Sequence, residues 1–292
     1  MANPHAIKKR LAGLISVLNK VAGGDLSQNI RLAKTKDEFT PLYVGLRRVI
    51  EAMRHQIVRT ELINKRKSQF FTTAAHELRT PLGNMRWSLE TILDDESANL
   101  SENAKIILYQ AYDSSIRMTQ LVNDLLTVSK LEEGYFVEGK KLIDICDVIR
   151  KTVALFSSDA KKKSVTLKLL IPKNKHCKRL MEPFFFSEAI NNILSNAIKY
   201  SKMQGTVEIA VKKTRRTIKL RISDTGIGIP KNEQPNIFTK FFRATNAKKH
   251  TKQGTGLGLY IVREYIKKWG GRIWFVSKIH KGSTFFVEIP LQ

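Results

Sequence analysis

The sequence predicts a helical hairpin that pairs with a second copy into a four-helix bundle, followed by an α/β domain. Three observations predict it. A seven-residue apolar repeat runs from about Leu46 to Met85. A second stretch with the same repeat follows after a turn. Beyond Glu133, short β-branched runs alternate with helical stretches.

In the first helix one repeat position holds Ile50, Ile57, Asn64, Phe71, Leu78 and Met85, and the position three later holds Met53, Thr60, Lys67, Ala74 and Pro81. The pattern breaks at Asp94–Asn99, and Ser101 with Glu102 reads as a new helix start. The second helix carries Ala104, Ala111, Met118 and Leu125, with Ile107, Ser114, Leu121 and Val128 three residues on, and ends near Glu133-Gly134. Neither helix can cover its stripe with one partner, so a dimeric bundle is the natural solution. In the last part, strands are expected at Ser164–Ile171, Thr206–Lys212, Thr217–Ser223, Arg272–Ser277 and Thr284–Ile289, and helices at Asp147–Asp159, Pro183–Tyr200 and Gly256–Trp269. Alternation in the strands predicts a sheet with one face on helices and one face exposed.

The chain has 292 residues and a formal net charge of +25. Residues 1–60 carry a net +7, residues 61–135 a net −3 and residues 136–292 a net +21. A basic surface attracts nucleic acid, anionic lipid or phosphorylated ligands, and charge alone does not choose among them. Cys146 and Cys177 lie in no metal or redox spacing and read as thiols of a reducing compartment. No apolar run approaches the ~18 residues that span a bilayer. Leu11–Leu18 after Lys8-Lys9-Arg10 is too short and broken for a signal peptide.

Four stretches bear on chemistry. In "FFTTAAHELRTPL", Phe70 to Leu82, the register places His76 two residues from each neighbouring seam position, so it points away from the core. It is then either a reactive group or an exposed histidine without a role. In "NNILSNAIKYS", Asn192 and Asn196 share a helix face with Lys199 one turn on. Amide oxygens can ligate Mg²⁺ and a lysine can meet phosphate. "DTGIGIP", Asp224 to Pro230, follows a strand, where a buried carboxylate could accept from an exocyclic amine. "GTGLGLYIV", Gly254 to Val262, runs glycines into a helix start, a natural phosphate site that matches neither the P-loop nor the dinucleotide pattern. Between the last two, "RATNAKKHTKQ" is polar, basic and aperiodic, as expected of a lid.

Together and in this order, these pieces resemble the sensor histidine kinases of two-component signalling. "HELRTPL" is similar to the H box, "NNILSNAIKYS" to the N box, "DTGIGIP" to G1, "IFTKFFR" to the F box and "GTGLGL" to G2, while "GSTFFVEIP" resembles the closing strand of the ATP domain. Upstream, "AGGDLSQNI" and "KDEFTPLYVGLRRVIEAM" are similar to a HAMP linker, with Pro4 fitting its first helix. The resemblance implies a HAMP-like segment over 1–58, a dimerisation and phosphotransfer hairpin over 59–135, and a Bergerat-type α/β sandwich over 136–292.

The resemblance also implies roles. His76 would attack the γ-phosphorus of ATP, with Glu77 on its other ring nitrogen and Thr80 assisting hydrolysis of the partner's aspartyl phosphate. Pro81 would bend the helix. Asn192 and Asn196 would hold Mg²⁺, Lys199 and Arg243 would meet phosphate, and Tyr200 would line the adenine pocket. Asp224 would read the adenine amine, with Gly226 and Gly228 shaping its loop. Gly254, Gly256 and Gly258 would hold the lid base. The implied partners are a second copy and a response-regulator receiver domain, with no specific nucleic acid. The implied place is the cytoplasm, as part of a membrane-anchored receptor or as a soluble kinase, and the basic start suits a membrane surface. "MEPFFFSEAI" departs from the family pattern at the pocket edge. Two other classes compete: a superfamily ATPase without phosphohistidine, which "HELRTP" argues against, and a non-enzymatic nucleic-acid or membrane-surface binder.

Overall fold

A computed structural model describes residues 4–27, 40–95, 100–133, 139–171, 177–251 and 253–291. Two units divide at Gln69 and Phe70. The end of "AGGDLSQNI", the start of "KDEFTPLYVGLRRVIEAM" and Gly134 lie outside the described residues.

In the N-terminal unit, α1 spans Pro4–Ala22 and ends in a turn with Gly24 at φ 90°. The long helix α2, Thr40–Asp94, begins in this unit. Here Leu14 and Ile50 are buried, and Arg54 Nε donates to the Leu26 carbonyl at 2.6 Å.

The second unit opens with the rest of α2. It stays helical through Pro81 and turns back into α3, Glu102–Glu132. Ser101 caps α3 as expected, its hydroxyl accepting from Ala104 N at 3.2 Å. The two helices meet through Ala75, Leu82, Val122 and Leu126. Arg79 donates to Asn123 Oδ1 at 2.9 Å, and Tyr112 to Glu90 Oε1 at 3.2 Å. This contact lies beside the expected seam, not on it. Leu78, Met85, Ile107 and Met118 are 49, 50, 65 and 47% exposed in the single chain. The repeat positions therefore mark a face of the hairpin that the contact between its own two helices leaves uncovered.

The α/β part is a five-stranded sheet in the order β2 (Thr166–Leu170), β4 (Thr206–Lys213), β5 (Thr217–Asp224), β7 (Gly282–Pro290), β6 (Arg272–Lys278). Only the β2–β4 pair is parallel. The sheet's inner residues, among them Ile209, Ile222 and Val287, share one core with α4 (Ile145–Leu155), α6 (Pro183–Tyr200) and α8 (Gly258–Lys268). The outer face is polar and basic: Arg221 pairs with Glu208, and Lys219 and Arg272 both pair with Glu288. Trp274 and Phe286 stack there at 5.3 Å. Part of the +21 of this half is spread over that face.

Three local features differ from the sequence reading. The helix expected at Asp147–Asp159 starts at Ile145, because Asp144 caps it, and breaks into a short α5, Ser157–Lys162. β1 (Lys141–Asp144) and β3 (Lys178–Met181) form a separate two-stranded ladder, too short to show periodicity. Part of the aperiodic lid is a six-residue helix, α7, Thr245–His250. On the bundle side, Val128 enters the main core, with Leu121, Leu125 and Leu131 against it, and Lys240 pairs with Glu132. No described helix is long and apolar enough to cross a membrane.

Candidate active site

Pro183 opens α6 without an N–H to leave unpaired. Ile190, Ile193, Leu194, Ala197 and Ile198 bury one side of the helix. The 3.6-residue period then brings Asn192, Asn196 and Lys199 to a cavity of about 490 Å³. Tyr200, Asp224, Gly228, Arg243, Gly254, Gly256 and Gly258 line the same cavity.

Asp224 ends β5 and is 7% exposed. Its Oδ1 accepts from Gly226 N at 2.9 Å and Ser283 N at 3.2 Å. Burial outweighs these bonds and pushes its carboxyl up to about 6. Gly226 does not line the cavity. A Cβ there would run into the Tyr200 carbonyl and lie 2.6 Å from Asp224 Oδ1, so glycine is what lets the loop pack between the end of α6 and the carboxylate.

Lys199 sits deep at the other wall. Burial, then the Arg243 and Lys163 cations, lower its ammonium to about 8. Its Nζ lies 4.8 Å from the Tyr200 ring centre. Lys163 itself caps the end of α6, donating to the Ile198 carbonyl at 3.1 Å and to that of Lys199. Arg243 donates to the carbonyls of Thr251 at 2.6 Å and Gly254 at 3.2 Å, holding both ends of the lid. Glu233 anchors the start of α7, accepting from Thr245 N at 2.8 Å.

The donor set suits a magnesium ion shared with phosphate. Asn192 Nδ2 donates to the Glu188 carbonyl at 3.1 Å, and its Oδ1 lies where Gly258 leaves room. Asn191 and Asn246, both lining the cavity, each hold a buried amide oxygen without a hydrogen-bond partner among the described residues. No group of three or more His, Cys, Asp or Glu that could hold a metal occurs among the described residues. A Mg²⁺ ion here would therefore depend on amide oxygens and on the ligand's own phosphates.

His76 is not among the cavity-lining residues. Buried Ala75 and Leu82 turn it outward, and its side chain is 77% exposed. Its Nδ1 lies 3.8 Å from Glu77 Oε1, and Thr80 is exposed on the same helix.

Sequence reasoning missed Glu188, Asn191, Asn246 and Thr255, and two residues from α3, Gln120 and Asp124. Asp124 is 8% exposed; it accepts from Thr255 Oγ1 at 2.5 Å and from Gln120 Nε2 at 2.7 Å. Burial raises its carboxyl above the usual range. A signal was present: an acid between Leu121, Leu125 and Val128 interrupts an apolar stripe. The unusual Glu182-Pro183 start is structural, with Glu182 Oε2 accepting from Trp269 Nε1 at 2.9 Å.

Residues 66–134 match the His Kinase A (phospho-acceptor) domain, and residues 181–292 match the histidine kinase-, DNA gyrase B- and HSP90-like ATPase domain. The chain belongs to the sensor histidine kinases. This histidine kinase chain is 34% identical over 245 residues to the sensor protein kinase WalK of Staphylococcus aureus, covering 82% of this chain and 58% of that protein. The same 245 residues cover 39% of WalK from other strains, so the chain spans about half the length of these relatives. Among solved structures, full-length ShkA in complex with AMPPNP has a TM-score of 0.61 at 22% identity, over 76% of this chain and 45% of that one. Histidine kinase ThkA in complex with the response regulator protein TrrA has a TM-score of 0.55 at 22% identity, over 83% and 67%. At those identities the likeness is one of fold.

Proposed function

We propose that this chain binds MgATP in the cavity between α6 and the glycine loops, phosphorylates His76, and passes the phosphoryl group to an aspartate of a response-regulator receiver domain. The observation that carries this reading is one cavity lined by Asp224, Asn192, Asn196 and Lys199 on a chain whose hairpin presents an outward His76.

Asp224 accepts from the adenine amine. Lys199 attracts the phosphates, and Arg243 joins it as the lid rearranges. Asn192 and Asn196 would hold Mg²⁺, which would supply charge neutralisation at the phosphates. Glu77, whose Oε1 lies 3.8 Å from His76 Nδ1, closes to hydrogen-bond that nitrogen and keeps the proton there, leaving the Nε2 lone pair as nucleophile. The new bond is Nε2–Pγ; the bond from Pγ to the bridging oxygen breaks, and ADP leaves with that electron pair. Thr80 positions the water that later hydrolyses the regulator's aspartyl phosphate.

Residues 1–58 act as a HAMP-like linker, 59–135 as the phosphotransfer hairpin and 136–292 as the ATP domain. The exposed Leu78, Met85, Ile107 and Met118 support a homodimer, which would cover them. The chain works at the cytoplasmic side. Incubation with γ-³²P-ATP and Mg²⁺ tests the reading: label should be acid-labile and base-stable, and absent from His76→Gln. Labelling that persists in that variant defeats the assignment.

A further inference from the structure

The cavity walls come from the ATP domain, with two exceptions, Gln120 and Asp124 of α3. Asp124 reaches one turn, Gly254–Gly256, through its bond to Thr255 Oγ1. The cavity's two cations reach the same turn. A Cβ on Gly254 would lie 3.0 Å from Lys199 Nζ, and Arg243 Nη1 donates to the Gly254 carbonyl. Asp124 lines the same cavity as Lys199 and Arg243, so an anion that fills it faces a nearly buried carboxylate as well as the two cations. Two negative groups in one cavity, partly shielded from bulk water, repel each other and oppose binding. The repulsion disappears if the carboxylate moves off, and that movement breaks a tie between α3 and the ATP domain.

We propose that Asp124 is a charge-sensing latch on the nucleotide site: the polyphosphate tail displaces its carboxylate from Thr255, and seating of the nucleotide thereby loosens the ATP domain from α3. The inference rests on reading the cavity as an ATP site. His76 does not line the cavity, so a looser tie between α3 and the ATP domain would free that domain to approach it. Linkage makes the effect reciprocal, so weakening the latch must tighten the binding of whatever breaks it.

The test is a charge series. The full chain and Asp124→Asn are titrated by calorimetry with adenosine, ADP and ATP, with EDTA present so that no metal screens the phosphates. Asparagine keeps the shape and an acceptor for Thr255 but removes the charge. The expected result is unchanged adenosine affinity, a gain of roughly tenfold for ATP and a smaller gain for ADP. Equal affinities for wild type and variant across the series, or a loss selective for ATP, overturn the latch while leaving the nucleotide reading in place. A wild-type chain that binds neither adenosine nor ATP overturns both. A second measurement needs no variant: amide hydrogen exchange over residues 120–128 should quicken with ATP and not with adenosine. Identical exchange with the two ligands also overturns the latch.

Discussion

Asn192 rests its amide oxygen 2.6 Å from the point where a Cβ on Gly258 would stand. Gly258→Ala should therefore turn Asn192 away from the cavity. Alanine is the better helix former, so the fold should hold while Mg²⁺-dependent ATP binding weakens about tenfold or more. Titration with and without Mg²⁺, beside a thermal melt, separates the two.

Asp224 gives nucleotide binding an acid limit. Its carboxyl is raised to about 6, so the proton acceptor needed by an adenine amine is lost as pH falls through that value. Affinity should drop about tenfold per pH unit below 6. The same raised value means that the folded state holds this proton more tightly than the unfolded chain, so this group adds stability as pH falls from 6 towards 4. Binding should be about tenfold weaker at pH 5 in a chain that still melts cooperatively.

Lys199 should announce phosphate as a proton uptake. With its ammonium lowered to about 8, much of it is neutral at pH 8.5, and an anion nearby restores the charge. Calorimetry at pH 8.5 in two buffers of different ionisation heat should show net uptake on ATP binding, absent at pH 6.5 and absent in Lys199→Met.

Trp269→Phe leaves the Glu182 carboxylate buried without its indole donor. The cost should be about 1–3 kcal/mol in urea unfolding, since a buried acceptor loses its partner. Glu182→Gln keeps an acceptor and should cost less.

Lysine at both Leu78 and Met85 should convert dimers to monomers in analytical ultracentrifugation, because both side chains lie about half exposed on the bare side of the hairpin. ATP binding, which belongs to the other part of the unit, should be unaffected.

Much of this was legible in the sequence. α6 has the bounds that Pro183 and Tyr200 suggested, and the five-stranded sheet follows its β-branched runs. Asn192, Asn196, Lys199 and Asp224 converge because each motif carries its own local geometry, a helix face or a strand end. Asp124 was missed because its partner, Thr255, lies 131 positions away and nothing local links them. The β1–β3 ladder escaped because four-residue strands carry too few alternations. The repeat did not locate the contact between the two hairpin helices, which falls one position later at Ala75 and Leu82, because a repeat marks a helix face without saying what that face will meet.

Cys146 and Cys177, the chain's two cysteines, are both sealed in the core, and burial pushes the Cys146 thiol up to about 12. At 0 and 1% exposure, neither is within reach of a maleimide in the folded chain. A fluorophore attached through a single new cysteine on the lid would then be the sole dye on each molecule, and lid motion could be followed without first stripping out native sulfur.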